Sequence, residues 1–417
     1  MLNSLRNILA AILSLEFIIV FSLVFFSFFA ADLLFITVLV GIGFWFIRWL
    51  DQGFLTLRSP VDFGIALLLL MTLISLWLTS NALLTYYQVL RIWSGVILFY
   101  AIVNWTLSQH RLRILVYLLI VASLIFAVLS ILGVDWPIDK LPIIPIQIYD
   151  YLPRLFPGVF NPNVMAGYLV LLLPFSLSLL LFAWSKIKGW ECLFLVFVCV
   201  MVTGVLILTQ SRGALIAFGA VGTLLVVLRW PRTWIIIPLL AVGALVLVLY
   251  IGVDSILNTL SGSVSLGGFT GRFEYWSRAI YIIKDFPLTG VGLGFYLPVV
   301  DTMYPFFFYE PASIPHAHNI LLQIAVDLGI PGLLAWLSVF LGISFIAWLV
   351  YRKGFQIKNM WLAGLGAGFL LSQVALLVHG MFDAVTWGLM RTAPIVWMVW
   401  GAAVVCFLIS NKNHSTE

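Results

Sequence analysis

Charge is scarce in this chain. Only 9% of its 417 residues are Asp, Glu, Lys or Arg, against 63% hydrophobic residues, and the mean hydropathy is +1.16. A water-soluble core has no use for that much apolar surface, so a soluble globular protein is excluded. Cysteine is scarcer still. Cys192, Cys199 and Cys406 all fall inside apolar stretches, which excludes a disulfide framework and a CxxC metal site and leaves three small core residues. No internal repeat relates the two halves and no segment is of low complexity. The missing repeat argues against a secondary transporter, a class in which the halves commonly repeat. A formal net charge of +5 and a pI near 9.1 do not imply nucleic-acid binding in such a chain. They report the asymmetry of a membrane's two sides.

What the sequence has in abundance is apolar runs of membrane-crossing length. Twelve spans are expected, centred in 8–29, 33–47, 61–79, 86–105, 113–132, 164–184, 191–209, 213–229, 233–251, 333–350, 360–381 and 391–410. The fold class is therefore an all-α polytopic membrane protein. Arg6 precedes the first run and no small-residue cleavage site follows it, so a retained first helix is expected and not a signal peptide. With both ends inside, the cytoplasmic segments carry Arg6, Arg48, Arg58, Arg111, Arg113, Lys186, Lys188, Arg229, Arg232, Arg352, Lys353, Lys358 and Lys412, thirteen of the 21 basic residues. Every inner segment then holds at least one, as the positive-inside rule requires. The chain divides into spans one to nine at 1–251, with an external loop at about 133–163; a long external loop at 252–332; and spans ten to twelve with a tail at 333–417.

The long loop carries most of the candidate chemistry. It ends in PHAHNILLQIAVDLGIPGL, Pro315 to Leu333, where His316, His318 and Asn319 stand at the start of a helix-compatible run. Gly329, Pro331 and Gly332 interrupt that run, so a short helix should end there and a new one begin near Leu333. An imidazole at a helix N-terminus is held neutral, as a general base must be, and anions are favoured beside it. Upstream, Thr270 can cap a helix from about Arg272 in which Phe273, Trp276, Ile280 and Ile283 form an apolar stripe, expected to lie along the membrane surface or under the rest of the loop and ended by Pro287. The GVGLG run at Gly290 lacks a preceding strand and is read as a turn, not a nucleotide loop.

Arg212, in TQSRGALIA, places a guanidinium in a tight external hairpin between two spans, where such a charge costs a few kcal/mol unless it snorkels or meets an anion. Lipid phosphate is the anion available at that depth. Arg272 adds its charge to a helix N-terminus with the fork geometry suited to bidentate phosphate binding. His316 and His318 lack convincing further ligands for zinc, with Asp301, Glu310 and Asp327 the acidic residues considered, so no metal is expected. Arg91, Glu16, Asp62 and His379 are read as structural pairs in or beside spans. Arg154, Asn161 and Asn163 make a polar corner before a span that suits hydroxyl-rich ligands, with helix capping by either Asn as the other reading. Arg278 is a further external cation.

These residues resemble the bacterial O-antigen ligases and O-antigen polymerases. The likeness rests on His318-Asn319, nine spacer residues and Gly329-Ile330-Pro331-Gly332, with support from the SRG hairpin at Ser211, GRFEYW at Gly271, the NPN corner at Asn161, and a large external loop before span ten. The resemblance implies a GT-C type glycosyltransferase of the bacterial inner membrane, with both termini cytoplasmic and a periplasmic catalytic loop. It implies no nucleotide sugar, metal or cofactor. The donor would be a glycan on undecaprenyl diphosphate, its diphosphate held by Arg212 and Arg272, with His318 as base on the acceptor hydroxyl and inversion at the anomeric centre. Secondary candidates are His316, Asn319, Arg154, Asn161, Asn163 and Arg278. Ligation onto lipid A core is the leading expectation. A polymerase of lipid-linked repeats and a protein O-oligosaccharyltransferase are the alternatives, with a secondary transporter more distant.

Overall fold

The computed structural model describes residues 2–106, 108–136, 145, 147–153, 155–156, 158–251, 269–307, 316–388, 390 and 392–412. Among them helices make up the regular structure, with one isolated bridge between Val134 and Phe160. Ten helices are long and apolar enough to cross a membrane. The first joins α1 (Leu2–Ser14) to α2 (Glu16–Ser27), and α3 (Leu33–Gln52), α5 (Ala82–Trp105) and α6 (Gln109–Gly133) follow. After the short α7 (Gln147–Asp150) come α8 (Pro162–Ala183), α9 (Gly189–Leu208) and α10 (Arg212–Arg229). The spans expected at 61–79 and 233–251 fall on two shorter apolar helices, α4 (Asp62–Leu78) and α11 (Ile236–Ile251). The long loop contributes α12 (Phe269–Asp285) and α13 (Tyr296–Met303), and the bundle closes with α14 (Ile320–Gln356), α15 (Met360–Gly380) and α16 (Pro394–Lys412).

Small residues set the closest packing, as they do wherever two helices meet in a medium that offers no hydrophobic driving force. Gly354 on α14 faces the Ala363 backbone of α15, and Gly366 faces the Tyr351 backbone in return, so a methyl at either would force the helices apart. Gly364 and Gly368 admit Phe182 and Phe175 of α8 in the same way. Several charged groups within the spans are paired. Glu16 meets Arg48 and Asn104, Asp62 accepts from Tyr100 at 2.8 Å, and Glu191 meets Arg113 at 2.9 Å. Arg91 donates to the Gly388 carbonyl at 3.3 Å. Three of the four expected structural residues are therefore found in such roles, and His379 is taken up below.

One end of the bundle gathers the basic helix termini. Arg229 Nε donates to Leu181 O at 3.2 Å, Tyr351 to Leu228 O at 2.7 Å, and Lys353 to Asn411 at 3.1 Å. The opposite end holds the loop. Its helices form a small core of their own from Tyr275, Ala279, Ile282, Tyr296 and Val300, closed by Ala317 and Val326. The core-facing side of α12 runs through Tyr275, Ala279 and Ile282, while Phe273 and Ile280 of the apolar stripe are 57% and 43% exposed. The stripe lies beside the core-facing side of the helix, with Trp276 and Ile283 half-buried and Ile283 packed against the core. Thr270's side chain lies outside the described residues.

Two helices meet at Gly329: the short one ends there, as the sequence leads one to expect, and the next is under way by Ile330, a few residues before Leu333. Gly329 takes φ 70° and ψ −178°, and the Ile330 N–H leaves the helix to donate to Pro287 O at 2.7 Å. The carbonyls orphaned at the kink are met by the glycine turn. Val291 N–H donates to Val326 O at 2.8 Å and Gly292 N–H to Asp327 O at 3.1 Å. GVGLG is therefore a structural turn, fitted to the kink.

Candidate active site

The site is built on the N-terminus of α14. Asn319 is its N-cap, with Oδ1 accepting from Leu321 and Leu322 N–H at 3.0 and 3.1 Å and Nδ2 donating to Met381 O at 3.3 Å. The cap thus ties this helix start to the turn after α15. Before it, His318 adopts a left-handed φ of 48°, sparsely populated for a non-glycine residue. Its backbone N–H donates to His316 Nδ1 at 3.1 Å, and the Ala317 N–H donates to Gln323 Oε1 at 2.7 Å. Each amide of the turn has its own acceptor.

Asp383 completes the arrangement. It follows α15 in the turn Met381 to Asp383, where its N–H donates to His379 O at 3.0 Å. Its Oδ1 lies 3.4 Å from His316 Nε2 and 3.6 Å from His318 Nδ1. Asp383 Oδ1 and His318 Nδ1 are both buried and make no close hydrogen bond, so the two orphans face each other. Burial opposes charge on Asp383, but the nearby His316, His318 and His379 outweigh it and hold its carboxyl below the ordinary value. Burial pulls His316 the other way, down to about 4 against the opposing pull of Asp383, with His318 and Arg272 adding to the depression. His316 is neutral at pH 7. Since its Nδ1 accepts, its proton sits on Nε2, the nitrogen on the Asp383 side of the ring.

His318 is the exposed member. Its side chain is 23% accessible although Nδ1 is buried, so the accessible edge is the one away from Asp383. Tyr275 of α12 stacks on the ring with centroids 5.5 Å apart. A ring whose Nδ1 is turned to a carboxylate leaves Nε2 to meet a reactant, the disposition of an oriented general base.

Two arginines belong to the same region. Arg272 on α12 is depressed in pKa by burial, raised by Asp383 and lowered again by Arg212, so its field reaches both. Arg212 opens α10, and the neighbouring Gly213 packs on Phe382, next to Asp383, where an added Cβ would stand 2.9 Å from the Phe382 Cβ. The hairpin before it is fixed from the other long loop: Gln210, at φ 51°, donates to Tyr149 Oη at 2.8 Å, and Tyr149 donates to Leu208 O at 3.0 Å. His379 also lies here, coupled to Asp383 and Arg272 and packed on Gly167.

The remaining candidates stand apart. Asn161 caps α8, its Oδ1 accepting from Asn163 and Val164 N–H at 2.9 and 3.4 Å, so the corner's described role is capping. Arg154 lies outside the described residues. Arg278 is buried inside the loop, held by Glu274 at 3.1 Å and Pro305 O at 2.9 Å, with Phe307 under its guanidinium at 4.6 Å. It braces the loop. Asp383 supplies a third donor beside the two histidines that the sequence reading did not weigh, and the three ligand atoms lie within 4.8 Å of one another, close enough to hold an ion. Two features oppose that use: His316 Nδ1 already accepts from the His318 amide, which leaves the ring proton on Nε2, and the positive field of Arg272 reaches the cluster.

The described residues thus define a polytopic helical membrane protein with a histidine–carboxylate site beside two arginines at one end of its bundle. Residues 197–337 match the family model described as O-Antigen ligase, which supports the likeness to the O-antigen ligase superfamily. The matched stretch contains Arg212, Arg272, His316, His318 and Asn319, and ends before Asp383. No curated protein matches the chain.

Proposed function

We propose that the protein is an inverting, metal-independent glycosyltransferase that moves a glycan from undecaprenyl diphosphate to a hydroxyl acceptor at the periplasmic face, with lipid A core as the acceptor. The observation that carries this reading is the exposed His318, its Nδ1 edge turned to Asp383, in the electrostatic reach of Arg272. The acceptor oxygen attacks the anomeric carbon, its proton passes to His318 Nε2, and the bond from that carbon to the diphosphate oxygen breaks. The leaving undecaprenyl diphosphate carries away the electron pair. Arg212 and Arg272 hold its growing charge, the task a metal performs in other phosphate chemistry. Asp383 orients the imidazole and stabilises the imidazolium that forms. The basic helix ends, Arg229 and Lys353 among them, lie away from the site and support the periplasmic side.

The test is a reconstituted transfer assay with purified protein, undecaprenyl-diphosphate glycan, chelator, and lipid A core present or omitted, with His318→Ala alongside. Transfer to the core that survives chelator and is lost in the variant is expected. Longer lipid-linked glycans without the core would make the enzyme a polymerase, transfer only to a protein hydroxyl would make it an oligosaccharyltransferase, and loss of transfer on chelation would restore the metal.

A further inference from the structure

One buried carboxylate is used by nothing described so far. Asp327 lies two turns into α14, 1% exposed, among groups that belong to three different parts of the site. Gln323 Nε2 donates to its Oδ1 at 2.9 Å, Trp387 Nε1 donates to its Oδ2 at 2.8 Å, and the Gly294 backbone amide is a third donor to it. Each donor leads somewhere. Gln323 uses its other end to accept the N–H of Ala317, the residue between the two histidines. Trp387 is four residues beyond Asp383 in the same turn segment, and its own N–H donates to Ala384 O at 3.1 Å. Gly294 belongs to the glycine turn, whose amides also cap the α14 kink.

We propose that Asp327 is a positioning residue that locks the histidine turn, the Asp383 turn and the glycine turn into one register, and so sets the separation of His318 from Asp383. The inference deepens the catalytic reading above and, for its consequence in turnover, rests on it. The lock works because a carboxylate offers only acceptors to three donors, so each of the three partners has one place to bond. A buried polar network that is fully met specifies a single arrangement, and leaving one donor unmet is costly. Neither Asp327 nor Gln323 contacts a reacting group. Their effect on chemistry runs through the spacing of two side chains held by other elements, where a shift of about 1 Å is enough to cost roughly 100-fold in rate.

The chemistry of the network supplies its own control. Asp327→Asn turns an amide NH2 toward one of two donors, Gln323 or Trp387, and Gln323→Glu turns a carboxylate toward Asp327, so either alone breaks a link of the network. Together they restore it with the polarity reversed: the amide introduced at position 327 would donate to the new carboxylate at position 323 and accept from Trp387, while that carboxylate accepts from Ala317.

The experiment compares wild type, D327N, Q323E and D327N/Q323E in the transfer assay, with melting temperature in the same detergent, and measures by mass spectrometry the rate at which diethyl pyrocarbonate modifies His316. Each single variant is expected to lose about 100-fold in kcat with donor KM unchanged. Modification of His316, which is 4% exposed in the intact turn, is expected to rise, and the double variant to recover both quantities. Unchanged kcat and modification in D327N would overturn the assignment, as would a loss that follows melting temperature and donor KM and is not recovered in the double variant. If wild-type protein transfers no glycan, the functional reading fails, while the His316 modification rates still decide whether Asp327 holds the turn.

Discussion

At the scale of single residues the site turns on an oriented imidazole, and its members separate by what each removal takes away. His318→Ala removes the proton acceptor, so transfer should vanish while the protein still inserts and melts as before; full activity would end the mechanism. Asp383→Asn keeps the shape and removes the charge that fixes the ring, for which a fall of roughly 1000-fold in kcat is expected with donor KM little changed. Arg212→Lys keeps the charge and loses the fork, and should cost roughly 100-fold in kcat/KM. His316 makes the pH prediction. Folding lowers it from 6.5 to about 4, so between those values the unfolded chain binds a proton that the folded one refuses. Stability therefore falls as pH drops through that window, by on the order of 3 kcal/mol from this group. His316→Gln should flatten the melting-temperature profile between pH 6.5 and 4, and an unaltered slope would show that the group titrates freely. His318, Arg212 and Arg272 were legible in the sequence because each stands at a helix start or hairpin where a polar or charged side chain needs a reason. Asp383 was not, because a lone carboxylate 65 residues beyond His318 has no spacing pattern to mark it. The signal available was an acidic residue just past a span end, four residues after His379, in a chain with few acidic residues.

At the scale of elements the decisive feature is the fit between the glycine turn and the kink. Gly290 at φ +64° and Gly329 at φ +70° face backbone, Val326 O in one case and the Leu288 carbonyl carbon, 2.6 Å from a built Cβ, in the other. Alanine at either position combines left-handed strain with a clash that no side chain can relieve, so each should cost about 1–3 kcal/mol and lower transfer by loosening the start of α14. Gly219→Ala on α10 is the contrast: its Cβ meets open space in a helix, and a small gain of about 0.5–1 kcal/mol is expected. Equal melting temperatures for all three variants would mean that the turn and the kink are not fitted. The spans and this turn were readable because hydropathy over a whole helix and the conformational demands of glycine are local properties. The buried face of α12 was not, since Phe273 and Ile280 repeat as regularly as Tyr275 and Ile282, and only the tertiary partners decide between them.

At the scale of the whole molecule, the proposed chemistry stands or falls with sidedness. A glycan on a lipid diphosphate, already assembled, reaches Arg212 and His318 only if the loop end of the bundle faces the periplasm. The argument for that side is the collection of Arg229, Arg232, Arg352 and Lys353 at the opposite end, with Arg48 and Arg113 engaged by Glu16 and Glu191. With Cys192, Cys199 and Cys406 replaced by alanine, one new cysteine can report each end. Asp301→Cys lies on the exposed surface of α13 beside the site, and Gln356→Cys lies exposed at the far end of α14. On intact cells with a permeable outer membrane, a maleimide that cannot cross the inner membrane should label the cysteine at 301 and spare the one at 356. The two helices meet in one loop core through Val300 and Val326, at the end of α14 away from Gln356, so the labels must report opposite faces. The reverse pattern would turn the site toward the cytoplasm, where an arginine pair would meet nucleotide phosphates as readily as a lipid carrier, and the donor assigned here would have to be given up.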